Sequence, residues 1–139
     1  MKKVILIVAS IFVFSAFVFA AKPPVKVQKA FDGKFPEATN VKWQKENSKE
    51  WEAEFTVNDR KTSANFMITG DWVETESQIN VSELPNAVSA SIKKLYPKGE
   101  IKSAYKIESA KEGMKYEADV KTTRKTVEVF LKEDGSILK

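Results

Sequence analysis

The chain repeats itself, and that restricts its fold more than anything else in the sequence. Phe31-x-x-x-Phe35-Pro36 returns as Ile92-x-x-x-Tyr96-Pro97, and Trp51-Glu52-Ala53-Glu54-Phe55 returns as Tyr116-Glu117-Ala118-Asp119-Val120. From there one constant offset pairs Ala64 with Val129, Phe66 with Leu131, Gly70 with Gly135 and Trp72 with Ile137. Trp43 falls opposite Tyr105, so the extra residues of the second copy lie between that pair and the next, among Gln44–Glu50 and Lys106–Lys115. Length changes of this kind belong in hairpin loops. A repeat of this period marks one supersecondary unit, and the reading is a tandem duplication spanning 25–80 and 84–139.

Both copies read alike. Val27, Ala30, Phe31 and Phe35 fall at helical spacing and Pro36 stops the run; Leu84, Val88, Ile92, Leu95 and Tyr96 do the same before Pro97, with Ser82 as the expected N-cap and Pro85 in the first turn. Period-two segments follow. In the first copy they are Val41 and Trp43, then Trp51, Ala53, Phe55 and Val57, then Ala64, Phe66 and Ile68. In the second they are Ile101 to Ile107, Met114 to Lys121, and Val127, Val129 and Leu131. Turns fall at Asn58-Asp59, Gly70-Asp71 and Asp134-Gly135, and short last strands begin at Trp72 and Ser136. The fold class is α+β: one helix on a three- to four-stranded antiparallel sheet, twice. Pairing the two sheet edges would hide their unpaired backbone groups and make one continuous eight-stranded sheet.

Residues 1–20 stand apart. Lys2 and Lys3 precede an uncharged run from Val4 to Phe19, and Val18-Phe19-Ala20 ends it with small residues before Lys22-Pro23-Pro24. This is the layout of a signal peptide cleaved after Ala20, with an uncleaved anchor as the alternative. Cleavage leaves no stable membrane insertion and a periplasmic or secreted protein. With no cysteine the exported chain has no disulfides, and the remaining length supports a core without them. Its 23 basic residues face 19 acidic ones, two of the basic ones lie in the leader, and no lysine cluster forms a positive stripe, so nucleic acid is not an expected partner.

The chemistry is sparse. The chain has no histidine and no cysteine, which removes the commonest general base, the usual zinc and copper ligands, and the Ser-His and Cys-His nucleophile systems. Glu52 with Glu54, or Glu117 with Asp119, share a strand face at a separation that glycosidases use, yet alternating acids on an exposed strand produce this spacing routinely. Five unclustered glycines build no phosphate loop, and the Asp-Gly pairs continue into no calcium loop. No catalytic residue, metal or cofactor is expected.

The Phe-Pro and Tyr-Pro helix ends, the Trp-Glu-Ala-Glu-Phe and Tyr-Glu-Ala-Asp-Val strands and the segment Trp72-Val73-Glu74-Thr75-Glu76 resemble the exported PepSY-like, β-lactamase-inhibitor-like family over about 26–139. The resemblance implies tandem units of helix on antiparallel sheet outside the cytoplasm, and a non-catalytic role; it supplies no catalytic residue. It suggests an inhibitor or regulator of an envelope enzyme such as a protease, acting through the exposed sheet surface, with another exported protein as partner. The alternative is a structural or sensory envelope protein that binds cell-wall or small-molecule material. Tryptophan and tyrosine are enriched at interfaces. If a patch exists, the sequence points to Trp43, Trp72 and Tyr105 with Arg60 and Lys42, while Trp51 belongs to the core stripe. Oligomeric state is left open.

Overall fold

The computed structural model describes residues 21–138, so the leader reading lies outside the described residues. The elements run α1 (Val25–Lys34), β1 (Thr39–Lys45), β2 (Glu50–Val57), β3 (Arg60–Met67), β4 (Trp72–Ile79), a short 3-10 turn (Val81–Glu83), α2 (Asn86–Leu95), β5 (Glu100–Ser109), β6 (Gly113–Lys121) and β7 (Thr126–Leu131). The strands form one antiparallel sheet in sequence order, β1 to β7.

Prolines set the helix boundaries. α1 follows Pro24 and α2 follows Pro85, residues that fix an entering φ without needing a donor. Phe35 and Tyr96 leave the helical region at their C-termini, because each precedes a proline whose ring clashes with a helical predecessor. Their backbone N–H groups still reach back, Phe35 to the Phe31 carbonyl and Tyr96 to that of Ile92, each at 2.8 Å. The expected N-cap at Ser82 is corrected: Ser82 lies in the 3-10 turn, where the Asn80 N–H donates to Glu83 Oε2 at 2.8 Å, and α2 starts only after Pro85.

The chain divides into two compact units. The N-terminal unit runs to Gln78 and includes Lys106–Gly113; the C-terminal unit comprises Ile79–Tyr105 and Met114–Lys139. In the first, Val27 and Phe31 of α1 pack on Ala53, Phe55, Ala64 and Phe66. In the second, Val88 and Ile92 of α2 pack on Ala104, Tyr116, Ala118, Val120, Val129 and Leu131, with Leu84. Each helix thus buries one i, i+4 stripe, and each strand buries alternate residues.

The sheet has seven strands where eight were expected. After Gly135 the segment Ser136–Leu138 contributes only a single bridge, Leu131 with Ile137, and Ile137 is half exposed. The Asp134 carboxylate holds this turn by accepting from the Ser136 N–H at 2.9 Å and from its hydroxyl. Those hydrogen bonds hold the Asp134 carboxyl below its ordinary range.

Candidate functional site

Register fixes what the sheet presents on the side away from α1. Trp43 pairs with Ala53 and Ala53 with Ala64, all in contact with the core under α1. The residues between them therefore face the other way. Across β1 to β4 the central ones form two rows. One reads Gln44, Glu52, Asn65, Glu74; the next reads Lys42, Glu54, Ser63, Glu76. Neighbours within a row stand about 5 Å apart and the rows about 7 Å. These two rows hold four carboxylates separated by amides and a hydroxyl, with the Lys42 ammonium at the β1 edge; on the same face Glu50 flanks the rows on one side and Lys61 on the other.

The interior of this face is partly desolvated. Ser63 is 5% exposed, although it lies on the side away from the helix. Burial pushes the Glu52 carboxyl above its ordinary range. The Gln44 amide, which donates to Glu52 Oε2, and the Ser63 hydroxyl pull it down, while the Glu46 and Glu54 carboxylates push it up. Alternating acids on a strand offered no reason to expect a raised carboxyl. A central strand position flanked by polar side chains supplies one without a cleft.

The five residues singled out from the sequence do not form one patch. Trp43 points to the core side, edge-on to Phe31 with centroids 5.1 Å apart, while Lys42, its neighbour on the strand, is exposed on the other face. Trp72 opposes Phe66 and packs against the same core. Its Nε1–H donates to Thr75 Oγ1 at 2.9 Å, and Lys34 Nζ stands 3.9 Å from its ring centroid. Arg60 opposes Val57 at the start of β3. Tyr105 belongs to the C-terminal unit, half-buried next to the fully buried Ala104. Sequence reasoning missed Gln44, Ser63, Asn65, Glu74 and Glu76 as members of a face. The signal that finds them is strand parity counted across the paired register.

The C-terminal unit carries its own acidic group. Glu117, Asp119 and Glu128 have carboxylate oxygens within 4.8 Å of one another. Glu128 opposes Asp119 across β6 and β7, and Ser103 Oγ donates to Asp119. Burial first, and the Asp119 carboxylate second, push the Glu128 carboxyl above its ordinary range. These three are the described residues that could offer oxygen ligands to a hard cation.

No curated protein matches the chain. The family described as "Putative beta-lactamase-inhibitor-like, PepSY-like" matches residues 49–139. Three solved structures share the fold. A BLIP-like protein from Bacteroides fragilis is 23% identical with a TM-score of 0.75, covering 86% of this chain and 85% of that one. A protein described as a "putative periplasmic" one from Bacteroides eggerthii is 18% identical with a TM-score of 0.79, covering 86% and 88%. A DUF2874 family protein from Bacteroides ovatus is 22% identical with a TM-score of 0.77, covering 86% of each. Among the described residues no helix is long and apolar enough to cross a membrane.

Proposed function

We propose, from the premise that this chain belongs to the PepSY-like, β-lactamase-inhibitor-like family, that it is an exported, non-catalytic module that covers a protein partner with the open face of β1–β4. The observation that carries this reading is the pair of rows across four strands, in which four carboxylates lie on a partly desolvated face with Lys42 at the β1 edge, flanked by Glu50 on one side and Lys61 on the other. Such a face fits a partner surface that presents lysine or arginine, since opposite fields steer encounter and fix register. An exported enzyme held in check is the partner class that the family description favours, and a periplasmic setting follows the leader and the description of the B. eggerthii protein. Absence of histidine and cysteine supports a role without chemistry.

In this reading Lys42 touches the partner directly, while Trp43 and Trp72 stiffen the sheet from the core side. The test compares capture from the envelope fraction by the wild type, by Glu54→Lys/Glu76→Lys on the open face, and by Lys29→Glu on the exposed side of α1. Retention of one protein by the wild type and Lys29→Glu, lost with the double reversal and in high salt, is the expected result. Equal retention by all three removes the open face from consideration.

A further inference from the structure

A second site lies on the opposite side of the same strands and shares no side chain with the open face. On the helix side the register row that begins Trp43, Ala53, Ala64 ends in Thr75, and the neighbouring row runs Phe55, Thr62, Ser77. The surface under α1 therefore turns from apolar to hydroxyl, at Thr75 of β4 in the first row and from Thr62 of β3 onward in the second, where a helix-covered sheet calls for hydrocarbon. A polar residue at a core-facing position costs stability unless something uses it. Here the hydroxyls line a cavity of about 230 Å³, whose walls are Lys34, Phe35, Thr75, Ser77, Lys106 and Glu108. All six belong to the N-terminal unit.

The donor inventory decides what this cavity accepts. Thr75 is 8% exposed and its Oγ1 receives the Trp72 Nε1–H, so its own hydroxyl proton is left to donate. Ser77 Oγ lies 3.5 Å from Thr62 Oγ1, at the long end of hydrogen-bond range, and can turn toward a better acceptor. Lys34 Nζ is held at the rim over the Trp72 ring, 3.9 Å from its centroid, and Lys106 Nζ lies 3.0 Å from Glu108 Oε1. Two ammonium groups and two hydroxyls thus face one carboxylate, which Lys106 already engages. Phe35 supplies an apolar wall. We infer that this cavity binds a small organic carboxylate, its anionic end between Lys34, Thr75 and Ser77 and its apolar body against Phe35. Charge-assisted hydrogen bonds to the acid supply orientation, and the ring contact supplies the rest. Free small acids and peptide C-termini share this chemistry.

Titration of the full mature chain with benzoate, read by the indole N–H signals in a ¹H–¹⁵N correlation spectrum, tests the assignment. Trp72→Phe identifies the Trp72 signal. Benzoate is expected to shift that signal saturably in the low-millimolar range, about −4 kcal/mol of binding at 1 mM, and to leave Trp51 in place. Lys34→Gln and the near-isosteric Thr75→Val are each expected to weaken binding about tenfold or more; both keep the dispersed spectrum that shows them folded. N-acetylphenylalanine, run alongside, separates a chain terminus from a free acid: whichever of the two saturates at lower concentration names the source. An equal shift by neutral benzamide, no saturation by either acid up to about 20 mM, or unchanged affinity in Lys34→Gln overturns the assignment. None of these outcomes depends on whether the open face captures a protein.

Discussion

The two cores solve the same packing problem with different side chains. In the N-terminal unit, Phe31 lies among four rings: Phe55 at 5.0 Å, Trp43 at 5.1 Å, Phe35 at 5.4 Å and Phe66 at 6.2 Å between centroids. In the C-terminal unit the position paired with Phe31 is Ile92, and its core cluster is mostly aliphatic, Leu84, Val88, Ala104, Ala118, Val120, Val129 and Leu131, with Tyr116 the one buried ring. On the helices, on β2 and β6, and on β3 and β7, the two units bury positions that the sequence alignment pairs: Val27 with Val88, Phe31 with Ile92, Ala53 with Ala118, Phe55 with Val120, Ala64 with Val129 and Phe66 with Leu131. What they share is parity along the strands and punctuation at the helix ends; what differs is how the space under each helix is filled. A pattern of buried positions therefore specifies the architecture, and side-chain identity is left to vary with whatever rests on top of it.

Truncating the two central helix residues should break the comparison hardest. Phe31→Ala is expected to cost about 4 kcal/mol and Ile92→Ala about 3 kcal/mol, the excess reflecting a larger void and lost ring contacts. Urea unfolding followed by far-ultraviolet circular dichroism measures both. All three tryptophans lie in the N-terminal unit, so native fluorescence should shift to the red in Phe31→Ala and stay put in Ile92→Ala. Equal costs would mean that edge-to-face geometry adds nothing to burial here.

The paired hairpin glycines sharpen it. Gly70 and Gly135 both have positive φ, +94° and +82°, and both press against the second residue of their own unit's helix. A Cβ on Gly70 would sit 3.0 Å from the Lys26 carbonyl oxygen; one on Gly135 would sit 2.5 Å from that of Ala87 and 2.7 Å from Ser91 Oγ. Backbone strain alone should make Gly70→Ala cost about 1–2 kcal/mol, and the added backbone clash should bring Gly135→Ala to about 3 kcal/mol. Thermal melts give the order, and the reverse order would show that the two turns relax differently.

Trp72 and Ile137 also share a repeat position and differ in duty. Trp72→Phe keeps an aromatic ring but leaves buried Thr75 without its donor, an expected loss of about 1 kcal/mol. Ile137→Ala acts at an exposed position outside any strand and should stay within about 0.5 kcal/mol.

Helix ends, strand parity and the hairpin turns were legible because each rests on local chemistry: a proline, a period of two, a glycine with positive φ. Three things were not. Ser82 has the right chemistry for an N-cap, yet Asn80 and Glu83 close a tighter turn first. Ser136–Leu138 has strand-like residues, but only Ile137 forms a bridge, with Leu131, and the segment builds no strand. The alignment pairs Trp43 with Tyr105, yet on β5 it is the neighbouring Ala104, and not Tyr105, that is fully buried in the C-terminal core, and β1 itself slips register between Thr39 and Lys42. Where length changes between copies, sequence spacing no longer reports which face a side chain takes. The open face was legible in kind, as acids alternating with the core stripe, but its two rows needed the cross-strand register. The hydroxyl-lined cavity depends on neighbours distant in sequence and was invisible.

The smallest effects come from single carboxylates, and they should carry opposite signs in the two units. Burial raises the Glu52 pKa in the fold, so the folded state prefers the protonated acid. Below the unfolded carboxylate range both states are protonated and Glu52→Gln matches the wild type. As pH rises through the raised folded value the wild type must ionise a half-buried group and loses stability that the amide keeps, so Glu52→Gln should melt about 2 °C higher at pH 7 and no higher at pH 3. Glu100 is the mirror case. Its hydrogen bond from Lys102, Nζ to Oε1 at 2.8 Å, lowers its pKa on an exposed strand end, so the stabilisation exists above the unfolded carboxylate range and disappears as pH falls through the folded value. Glu100→Gln should therefore lower the melting temperature slightly at pH 7, by less than Glu52→Gln raises it, because solvent screens the exposed pair. Melts of both variants from pH 3 to pH 7 check the signs. A Glu52→Gln gain that persists at pH 3 would locate its cause in packing and not in the burial of charge.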